Sequence, residues 1–421
     1  FGSRKITTQE LLQAESEILD FARKGTGVLP VMLPAEQRRN RSRDQKLGVE
    51  QRCAVDTLLA SKDCISILVG KAGTGKSTSQ KDLVEGLTLG GHTVIGCAPQ
   101  ARQVHELRAM GLGESQTLAS VLLREELPPQ SVVLLDEAGQ VGTRDLHKLV
   151  QMVQAADGRL ILSGDPRQHG AVPAGDMLRL LLHETPATVA RITHIRRQKP
   201  EDYRKIIEQL SRHQTLSGLD MLERSGRVVE VEGEKRREEL ARWAADGIVA
   251  QKDVLCVAPT WKEIDRVTKS LREELSRRGE ISGVPKTTAV LERLDLTMAQ
   301  MRQTRHYEPG MELLERRGLG LPEKRLVVKK VDGDKLILQR SESWRPDLIV
   351  DLSKVRRGAS WTVYRPREIE IRVGDRLLLQ ENSRSKCYTN GDLVEVANLE
   401  GSGIELKDGR VLGADYKTFT H

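Results

Sequence analysis

The chain has 421 residues, with 67 lysines and arginines against 60 aspartates and glutamates. This length predicts two to four domains, and the formal net charge of +7 favours polyanionic partners. No apolar stretch approaches the roughly 18 residues of a membrane span, and five scattered cysteines without a CxxC pair point to a reducing cytoplasm rather than a disulfide framework or zinc site.

The first predicted element is a helix over residues 7–23, with Thr8 as its N-cap and Gly25 in its stop signal. A polar connector rich in arginine follows. A solvated linker is the favoured interpretation of this connector, and a nucleic-acid contact is the alternative. Residues 1–46 are therefore predicted to form an N-terminal helix and a linker.

Between residues 64 and 192, short apolar runs alternate with helical patterns. The runs cover residues 64–69, 93–98, 132–135, 160–163 and 189–192. They are rich in β-branched residues and bounded by Gly, Asp or Pro, which is typical of buried parallel strands in an α/β sheet. A second α/β segment is predicted to begin with a strand at residues 254–258 and a helix at 263–278.

The pattern changes after residue 283, where short strands are separated by turns that contain glycine. A turn glycine, an alternating strand and two further strands occur twice in succession, although the repeat is weak. The sequence predicts two small β-barrels in tandem, over residues 283–370 and 371–421.

Residues 70–77 read Gly-Lys-Ala-Gly-Thr-Gly-Lys-Ser and fit the P-loop pattern GxxxxGK[ST] between a predicted strand and a predicted helix. Glycines let backbone N–H groups surround phosphate oxygens, and the helix N-terminus adds positive charge. Lys76 is expected to reach the β- and γ-phosphates of ATP, and Ser77 to ligate Mg²⁺. A chance Gly-rich turn is the alternative, which the flanking elements disfavour. The predicted nucleotide-binding residues of this loop are Gly70, Gly73, Thr74, Gly75, Lys76, Ser77 and Thr78.

Two further segments follow predicted strands. Asp136 and Glu137 come directly after residues 132–135; Asp136 is expected to hold Mg²⁺ through water, and Glu137 to act as the general base. Gln168 follows the next strand in the segment Gly-Asp-Pro-Arg-Gln, where it can contact the γ-phosphate and a neighbouring element. A turn shaped locally by Asp and Pro is the alternative for that segment.

These segments, in this order, resemble superfamily 1B helicases, near the RecD-like enzymes, and most closely the helicase part of TraI/TrwC-type (MobF) conjugative relaxases. The similar segments are residues 47–55, 70–77, 97–100, 116–120, 136–139, 164–168 and 195–198. The resemblance implies an α/β fold of P-loop (RecA-like) parallel sheets with helices on both faces and small SH3-like β-barrel insertions. It places a first RecA-like domain at residues 47–200 and the start of a second at 201–282.

The resemblance also implies roles for single residues. Gln51 matches the glutamine that reads adenine, and Arg197 matches the arginine that contacts the γ-phosphate across the cleft. Gln100, Thr117 and Thr260 match positions that contact the backbone of single-stranded DNA. Ordinary helix or turn capping is the alternative for these three, and a surface arginine in a basic turn is the alternative for Arg197.

Two residues of the predicted barrels are candidate DNA contacts. Asn390 lies in an Asn-Gly-Asp turn that matches a recurrent turn of the family, although Asn-Gly favours a hairpin turn on local grounds alone. Trp361 lies among arginines, and an aromatic ring in a basic surrounding can stack on unpaired bases. A solvated barrel face is the alternative for Trp361.

The implied function is an ATP-dependent single-stranded DNA translocase or helicase that moves 5′ to 3′, with ATP and Mg²⁺ as cofactors. Its implied partners are single-stranded DNA and relaxosome or secretion and coupling proteins, and it is expected to act as a monomer. The later helicase motifs, with a second arginine finger, and the metal-binding histidines of the nicking domain are not found in the sequence. The alternative is therefore a P-loop module that binds DNA or a partner with little or no hydrolysis. The predicted catalytic residues are Lys76, Asp136, Glu137, Gln168 and Arg197.

Overall fold

The computed structural model describes residues 7–41, 47–71, 73–168, 170–171, 174–196, 200–212, 214–233, 235–317, 325–340, 346–355, 359–383, 387–401 and 403–421. The chain divides into two compact units, Phe1–Val229 and Glu230–His421. Every helix in these ranges is too short or too polar to cross a membrane.

The first unit is built on a six-stranded sheet. Its strands are β1 (Ile65–Gly70), β2 (Val94–Ala98), β3 (Gln116–Thr117), β4 (Val132–Leu135), β5 (Arg159–Gly164) and β6 (Thr188–Ile192). Every pairing is parallel, in the order β3-β2-β4-β5-β1-β6. The five predicted strands of this region are confirmed with bounds within one residue. Strand β3 is too short to give a periodic signal.

Helices cover both faces of this sheet. The helices of this unit are α1 (Gln9–Lys24), α2 (Ala35–Arg41), α3 (Val49–Leu59), α4 (Lys76–Leu89), α5 (Ala101–Ala109), α6 (Leu118–Val121), α7 (Thr143–Ala155), α8 (Met177–Glu184), α9 (Glu201–Ser211) and α10 (Thr215–Arg224). Val133 and Leu135 share one core with α1, α7 and α8, whereas Val132 and Leu134 share the other with α3, α4 and α5. Successive strand residues thus face opposite helix layers, as a buried parallel sheet requires. The predicted α/β fold is confirmed.

The N-terminal segment is anchored to the sheet domain. Thr8 caps α1 as predicted, because its Oγ1 accepts a hydrogen bond from Leu11 N at 3.2 Å. The solvated-linker interpretation is wrong for Arg41, which lies at the end of α2. Its Nη2 donates to Asp82 Oδ1 at 2.6 Å and to Asp82 O at 2.7 Å. Burial raises the pKa of Asp82, while Arg41 opposes that shift.

In its described residues, the second unit combines three α-helices with antiparallel strands. The helices are α11 (Lys235–Val249), α12 (Trp261–Arg277) and α13 (Met298–Met301). The strands are β7 (Ser282–Leu294), β8 (Glu312–Arg317), β9 (Arg325–Asp332), β10 (Lys335–Gln339), β11 (Leu348–Asp351), β12 (Ser360–Val373), β13 (Arg376–Leu379), β14 (Leu393–Asn398), β15 (Ile404–Leu406), β16 (Val411–Leu412) and β17 (Phe419–Thr420).

These strands form two sheets with separate cores, in the orders β11-β10-β9-β8-β12-β7 and β16-β15-β14-β13-β17. The additional β structure predicted after residue 283 is therefore confirmed. Strand β12 pairs with β8 near its start, while Ile369 and Ile371 near its end pack in the core of the second sheet. It runs unbroken across residues 370 and 371, where the sequence predicts the border of two barrels.

The strand predicted at residues 254–258 is wrong, because these residues form no strand in the structure. Leu255 is 87% exposed and Val257 is 80% exposed. A strand needs a neighbour to satisfy its backbone hydrogen bonds, and none of the strands in the described ranges pairs with this segment. The helix predicted after it is confirmed as α12.

A buried ion pair ties α12 to the β structure. Asp375 is 1% exposed, and Arg272 of α12 donates to its two carboxylate oxygens at 2.7 and 2.8 Å. Burial alone would raise the pKa of Asp375, but His421 at 3.8 Å, Arg272 and the backbone N–H of Arg372 outweigh it and lower the pKa to about 2. The charged form of Asp375 is therefore the form that stabilises the fold.

We expect Arg272→Ala to lower the free energy of unfolding of the second unit by about 3–5 kcal/mol, because it leaves a buried charge without its partner. Urea unfolding followed by tryptophan fluorescence measures this unit alone, since all four tryptophans lie beyond residue 230. Because the native pKa of Asp375 is below the unfolded value, its contribution is present above about pH 4 and is lost as the pH falls towards 2.

The matched control is Arg367→Ala. Arg367 of β12 forms an exposed pair with Asp265 of α12 at 3.3 Å, so it joins the same two elements. Its loss should cost at most about 1 kcal/mol. Equal losses for the two variants would contradict the importance of the buried pair.

Candidate functional site

The predicted P-loop follows β1 and leads directly into α4. Gly73 and Gly75 have positive φ angles of 79° and 85°, which disfavour every residue with a Cβ. A Cβ on Gly75 would also lie 2.4 Å from Gln51 Nε2, and one on Gly70 would lie 2.5 Å from Lys76 Cγ. Glycine is therefore favoured at position 73 by the backbone conformation, at position 70 by the close neighbour, and at position 75 by both.

The carboxyl ends of β1, β5 and β4, which lie side by side, bring the predicted catalytic groups to one edge of the sheet. Lys76 Nζ lies 3.3 Å from Glu137 Oε1, and the two side chains are only 11% and 22% exposed. Glu137 has a positive φ of 49°, which is rare for a residue with a side chain. Backbone strain of this kind is concentrated at functional sites.

Asp136, the predicted magnesium ligand, is held by a residue that the sequence reasoning missed. Gln80 of α4 donates through Nε2 to Asp136 Oδ1 at 2.7 Å and to Ser163 Oγ at 2.8 Å. Asp136 is 9% exposed, so its carboxylate keeps access to the site while its orientation is fixed. No motif marks Gln80, although its position one helical turn after Lys76 faces it towards the sheet.

The donor groups fit Mg²⁺ bound together with a nucleotide. In the part of the chain that the structure describes, no group of three or more His, Cys, Asp or Glu side chains is arranged to hold a metal by itself. Asp136 and the hydroxyl of Ser77, in the first turn of α4, supply hard oxygen ligands. Mg²⁺ characteristically takes one or two carboxylates and completes its shell with substrate phosphates and water.

Gln51 lies against the P-loop but is 2% exposed. Its Nε2 donates to Gly75 O at 3.1 Å, and its Oε1 accepts from Gly48 N at 3.1 Å. Both ends of the amide are therefore engaged by backbone, where they support the loop and the start of α3. The adenine-reading role of Gln51 stays a prediction.

The segment after β6 is tied to the same region. Glu50 of α3 accepts from Thr193 Oγ1 at 2.6 Å and from His194 N at 2.9 Å. Burial raises the pKa of Glu50, but these hydrogen bonds outweigh it and the net shift is downward. Arg196 N donates to Gly73 O at 2.7 Å. The sequence carried no signal for these contacts, which link the P-loop to the end of the sheet.

The structure gives less information on the other two predicted catalytic residues, Gln168 and Arg197. Gln168 is exposed in a turn after β5, and its N–H donates to Asp165 O at 3.2 Å. Arg167 N donates to Asp165 Oδ1 at 3.0 Å, so the local turn chemistry is present as well. The phosphate-sensing role of Gln168 stays a prediction. Arg197 lies outside the described residues.

Two predicted DNA contacts lie further along the carboxyl edge. Gln100 follows β2, Thr117 ends β3, and Thr117 pairs with Ala98 of β2. Gln100 is exposed, and its Nε2 donates to Gln140 Oε1 at 3.3 Å. Thr117 is partly exposed and caps α6 by accepting from Ser120 N. The capping alternative for Thr117 is thus satisfied, while Gln100 and Gln140 form a polar pair beside it.

Two predicted DNA contacts of the second unit are exposed. Thr260 caps α12, accepting from Glu263 N at 3.3 Å. Asn390 lies in a turn that Asp392 N closes by donating to Thr389 O at 3.0 Å, with Gly391 at a φ of 96°. The predicted turn is confirmed, and DNA contacts by Thr260 and Asn390 stay predictions.

Trp361 corrects the sequence interpretation. It is 3% exposed, and its Nε1 donates to Tyr307 Oη at 2.8 Å in the core of the first antiparallel sheet. Burial raises the pKa of Tyr307 to about 12, although the hydrogen bond from Trp361 opposes this. A side chain enclosed in this way cannot stack on a base. The neighbouring arginines Arg365 and Arg367 are exposed further along β12, so proximity in sequence was misleading.

The comparisons with known proteins agree with the motif pattern. Residues 46–233 match the protein family described as AAA domain. The chain is 24% identical to the multifunctional conjugation protein TraI of Escherichia coli K12, over 97% of the chain and 26% of TraI. It is 29% identical to the conjugal transfer protein TraA of Rhizobium radiobacter, over 67% of the chain and 26% of TraA.

The chain is thus similar in sequence to proteins named for conjugation. The resemblance inferred from the seven motifs is therefore confirmed. The chain spans about a quarter of the length of the curated relatives that it matches. Among solved structures, it is similar to Bacteroides Pif1 bound to single-stranded DNA, with 15% identity, a TM-score of 0.43, and coverage of 88% of this chain and 74% of that one.

We expect Gly75→Ala to weaken nucleotide binding at least about tenfold, or about 1.4 kcal/mol, because the new methyl group collides with the Gln51 amide and forces the loop to move. Titration with a fluorescent ADP analogue measures the affinity. Gly91→Ala is the matched control, since Gly91 also has a positive φ, of 80°, but a Cβ added there would meet nothing within 4 Å. Both variants should lose about 1–2 kcal/mol of stability. Unchanged affinity in Gly75→Ala would contradict the assigned loop.

Proposed function

We propose that this chain is the ATP-dependent motor region of a single-stranded DNA translocase or helicase of superfamily 1B, within a conjugative relaxase, moving 5′ to 3′. The observation that supports this best is the arrangement along one sheet edge. Lys76 pairs with Glu137 at 3.3 Å, Asp136 is fixed beside them, and the exposed Gln100 follows β2, the strand next to β4. The relation to TraI and TraA, both named as conjugation proteins, supports the pathway.

The nucleotide side has the groups that phosphoryl transfer to water requires. Lys76 places a positive charge where the β- and γ-phosphates lie in a P-loop, which favours charge developing on them. Glu137 is a carboxylate in reach of the same region and acts as the general base that orients and deprotonates the attacking water. Bound Mg²⁺ supplies further neutralisation of phosphate charge. The pair between Lys76 and Glu137 holds both side chains in the site.

The DNA side lies on strands next to the nucleotide side. Gln100 and Thr117 offer uncharged polar groups, which bind phosphates without reading sequence. Gln140 lies three residues after Glu137 and accepts the hydrogen bond of Gln100. A short helical turn, Ala138–Gln140, therefore connects the general base to the DNA side. Through this turn, a movement of Glu137 during ATP hydrolysis can be transmitted to the DNA contact at Gln100.

The proposal also covers the cofactors, the partners, the oligomeric state and the compartment of this chain. Magnesium and ATP act as the cofactors, and single-stranded DNA is the partner. We propose a monomeric motor in the cytoplasm that works with relaxosome or secretion and coupling proteins. The net charge of +7 is compatible with a polyanionic partner.

We expect single-stranded DNA to stimulate ATP hydrolysis, and Glu137→Gln to lower the stimulated rate by about 10²–10⁴-fold because the general base is removed. Phosphate release is measured with and without an oligothymidine, at fixed salt because phosphate contacts weaken as salt rises. Nucleotide binding should persist in Glu137→Gln and fall in Lys76→Ala.

Three outcomes decide between the functions. DNA-stimulated turnover that is lost in both variants supports a motor. Binding of nucleotide and DNA without turnover in the unsubstituted chain would overturn the motor and favour the binding module. Turnover that DNA does not change would contradict the translocase, whatever the variants show.

A second prediction concerns the DNA contact. We expect Gln100→Ala to weaken binding of a labelled oligothymidine about two- to tenfold, the equivalent of one hydrogen bond of about 0.5–1.5 kcal/mol. Fluorescence anisotropy at fixed salt measures it. Gln154→Ala is the control, since Gln154 is equally an exposed glutamine but lies at the end of α7, next to the amino end of β5. A similar loss in both variants would remove Gln100 from the DNA site.

A further inference from the structure

One buried amide connects three elements of the candidate site. Gln80 is 1% exposed on α4, Asp136 follows β4, and Ser163 lies in β5. The single Nε2 of Gln80 bonds to both of the others, at 2.7 and 2.8 Å. We infer that Gln80 is the positioning residue for the magnesium carboxylate of Asp136. This inference rests on the proposed function, in which Asp136 holds Mg²⁺.

The chemistry of the partners fixes the orientation of the amide. An ionised carboxylate only accepts hydrogen bonds, so the NH₂ group of Gln80 must face Asp136. The second N–H of the same group is then directed to the Ser163 hydroxyl oxygen, which accepts it. Both hydrogens of the amide are thus used, and the Asp136 carboxylate is held through Oδ1. This hydrogen bond restricts rotation of the Asp136 carboxylate, and a metal ligand must keep a fixed orientation.

The position of Gln80 has a measurable cost. Its Oε1 is buried and has no hydrogen-bond partner among the described residues. A buried acceptor without a partner lowers the stability of the folded state, and an apolar side chain of the same length would avoid that loss. Polar groups left unsatisfied in a native interior call for a specific explanation. Orientation of Asp136 supplies one, because groups behind a metal ligand tune its affinity.

The link to β5 adds a second consequence. Ser163 directly precedes Gly164, the first residue of the segment that contains Gln168. Gln80 therefore joins the helix of the P-loop, the strand of the magnesium carboxylate and the strand of the predicted phosphate sensor. A role limited to packing would need only the volume of the side chain. A positioning role needs its N–H groups, and this difference can be measured.

The test replaces Gln80 by Met, which keeps the length of the side chain and removes its donors. Binding of a fluorescent ADP analogue is titrated with Mg²⁺ and, separately, measured in EDTA. We expect Gln80→Met to raise the Mg²⁺ concentration for half-maximal enhancement of binding about tenfold, a typical loss when a group behind a metal ligand is removed. Affinity in EDTA should stay within about twofold, and the thermal midpoint should not fall.

Ser163→Ala is the matched control, because it removes the other partner of the same amide and leaves the bond to Asp136 in place. Its Mg²⁺ dependence should remain that of the unsubstituted chain. If Gln80→Met does not fold, Gln80→Asn serves instead, since it keeps an amide but is one methylene too short to bridge to Asp136. The same rise in the Mg²⁺ requirement is expected for Gln80→Asn.

An unchanged Mg²⁺ requirement in a folded Gln80 variant would overturn the inference. A parallel loss of affinity with Mg²⁺ and in EDTA would also overturn it, because that result indicates a packing role. If the unsubstituted chain binds nucleotide more tightly with Mg²⁺ but shows no DNA-stimulated hydrolysis, the proposed motor fails while the role of Gln80 stands. No effect of Mg²⁺ on the unsubstituted chain would remove the magnesium role of Asp136 and this inference with it.

Discussion

All six strands of the first sheet point the same way, and helices bury both of its faces. A polar side chain on either face of such a sheet would be buried under the helices and would lose its hydration. They collect where the strands end, and parallel strands all end at one edge. The P-loop after β1, the turn after β5, the carboxylates after β4 and the polar residues after β2 and β3 are therefore brought together by topology. Their order along the edge follows the strand order rather than the chain order.

The groups at this edge carry local costs that the surrounding core offsets. Glu137 has a left-handed backbone, Gln80 has a buried acceptor without a partner among the described residues, and Asp136 is a carboxylate that is 9% exposed. Each is unfavourable by itself. Strands β4 and β5 are fully buried, which leaves their backbone little room to relax. The packing of the two helix layers against the sheet therefore holds the predicted catalytic groups in a fixed arrangement.

The sequence predicted what depends on local pattern and missed what depends on partners. The apolar runs of β1, β2, β4, β5 and β6 were placed within one residue, because burial on both faces selects such runs regardless of their neighbours. Residues 254–258 have the same pattern and form no strand, since a run of this kind also needs a pairing strand. Trp361 was misplaced for a related reason. Its arginine neighbours are near in sequence, but its direction from β12 is set by a core partner, Tyr307.

In the P-loop, too, some features follow from the local sequence pattern and others depend on partners that are distant in sequence. Its glycines and Lys76 are visible in the sequence, whereas the hydrogen bonds that hold its shape are not, even where a residue such as Gln51 is marked by the resemblance for another role. Gln51 binds Gly75 O, Arg196 binds Gly73 O, and Glu50 ties the segment after β6 to α3. These contacts come from parts of the chain that are distant in sequence. The segment after β6 contacts the predicted phosphate loop directly, through the hydrogen bond from Arg196 N to Gly73 O. A displacement of this segment would therefore act on the backbone of that loop.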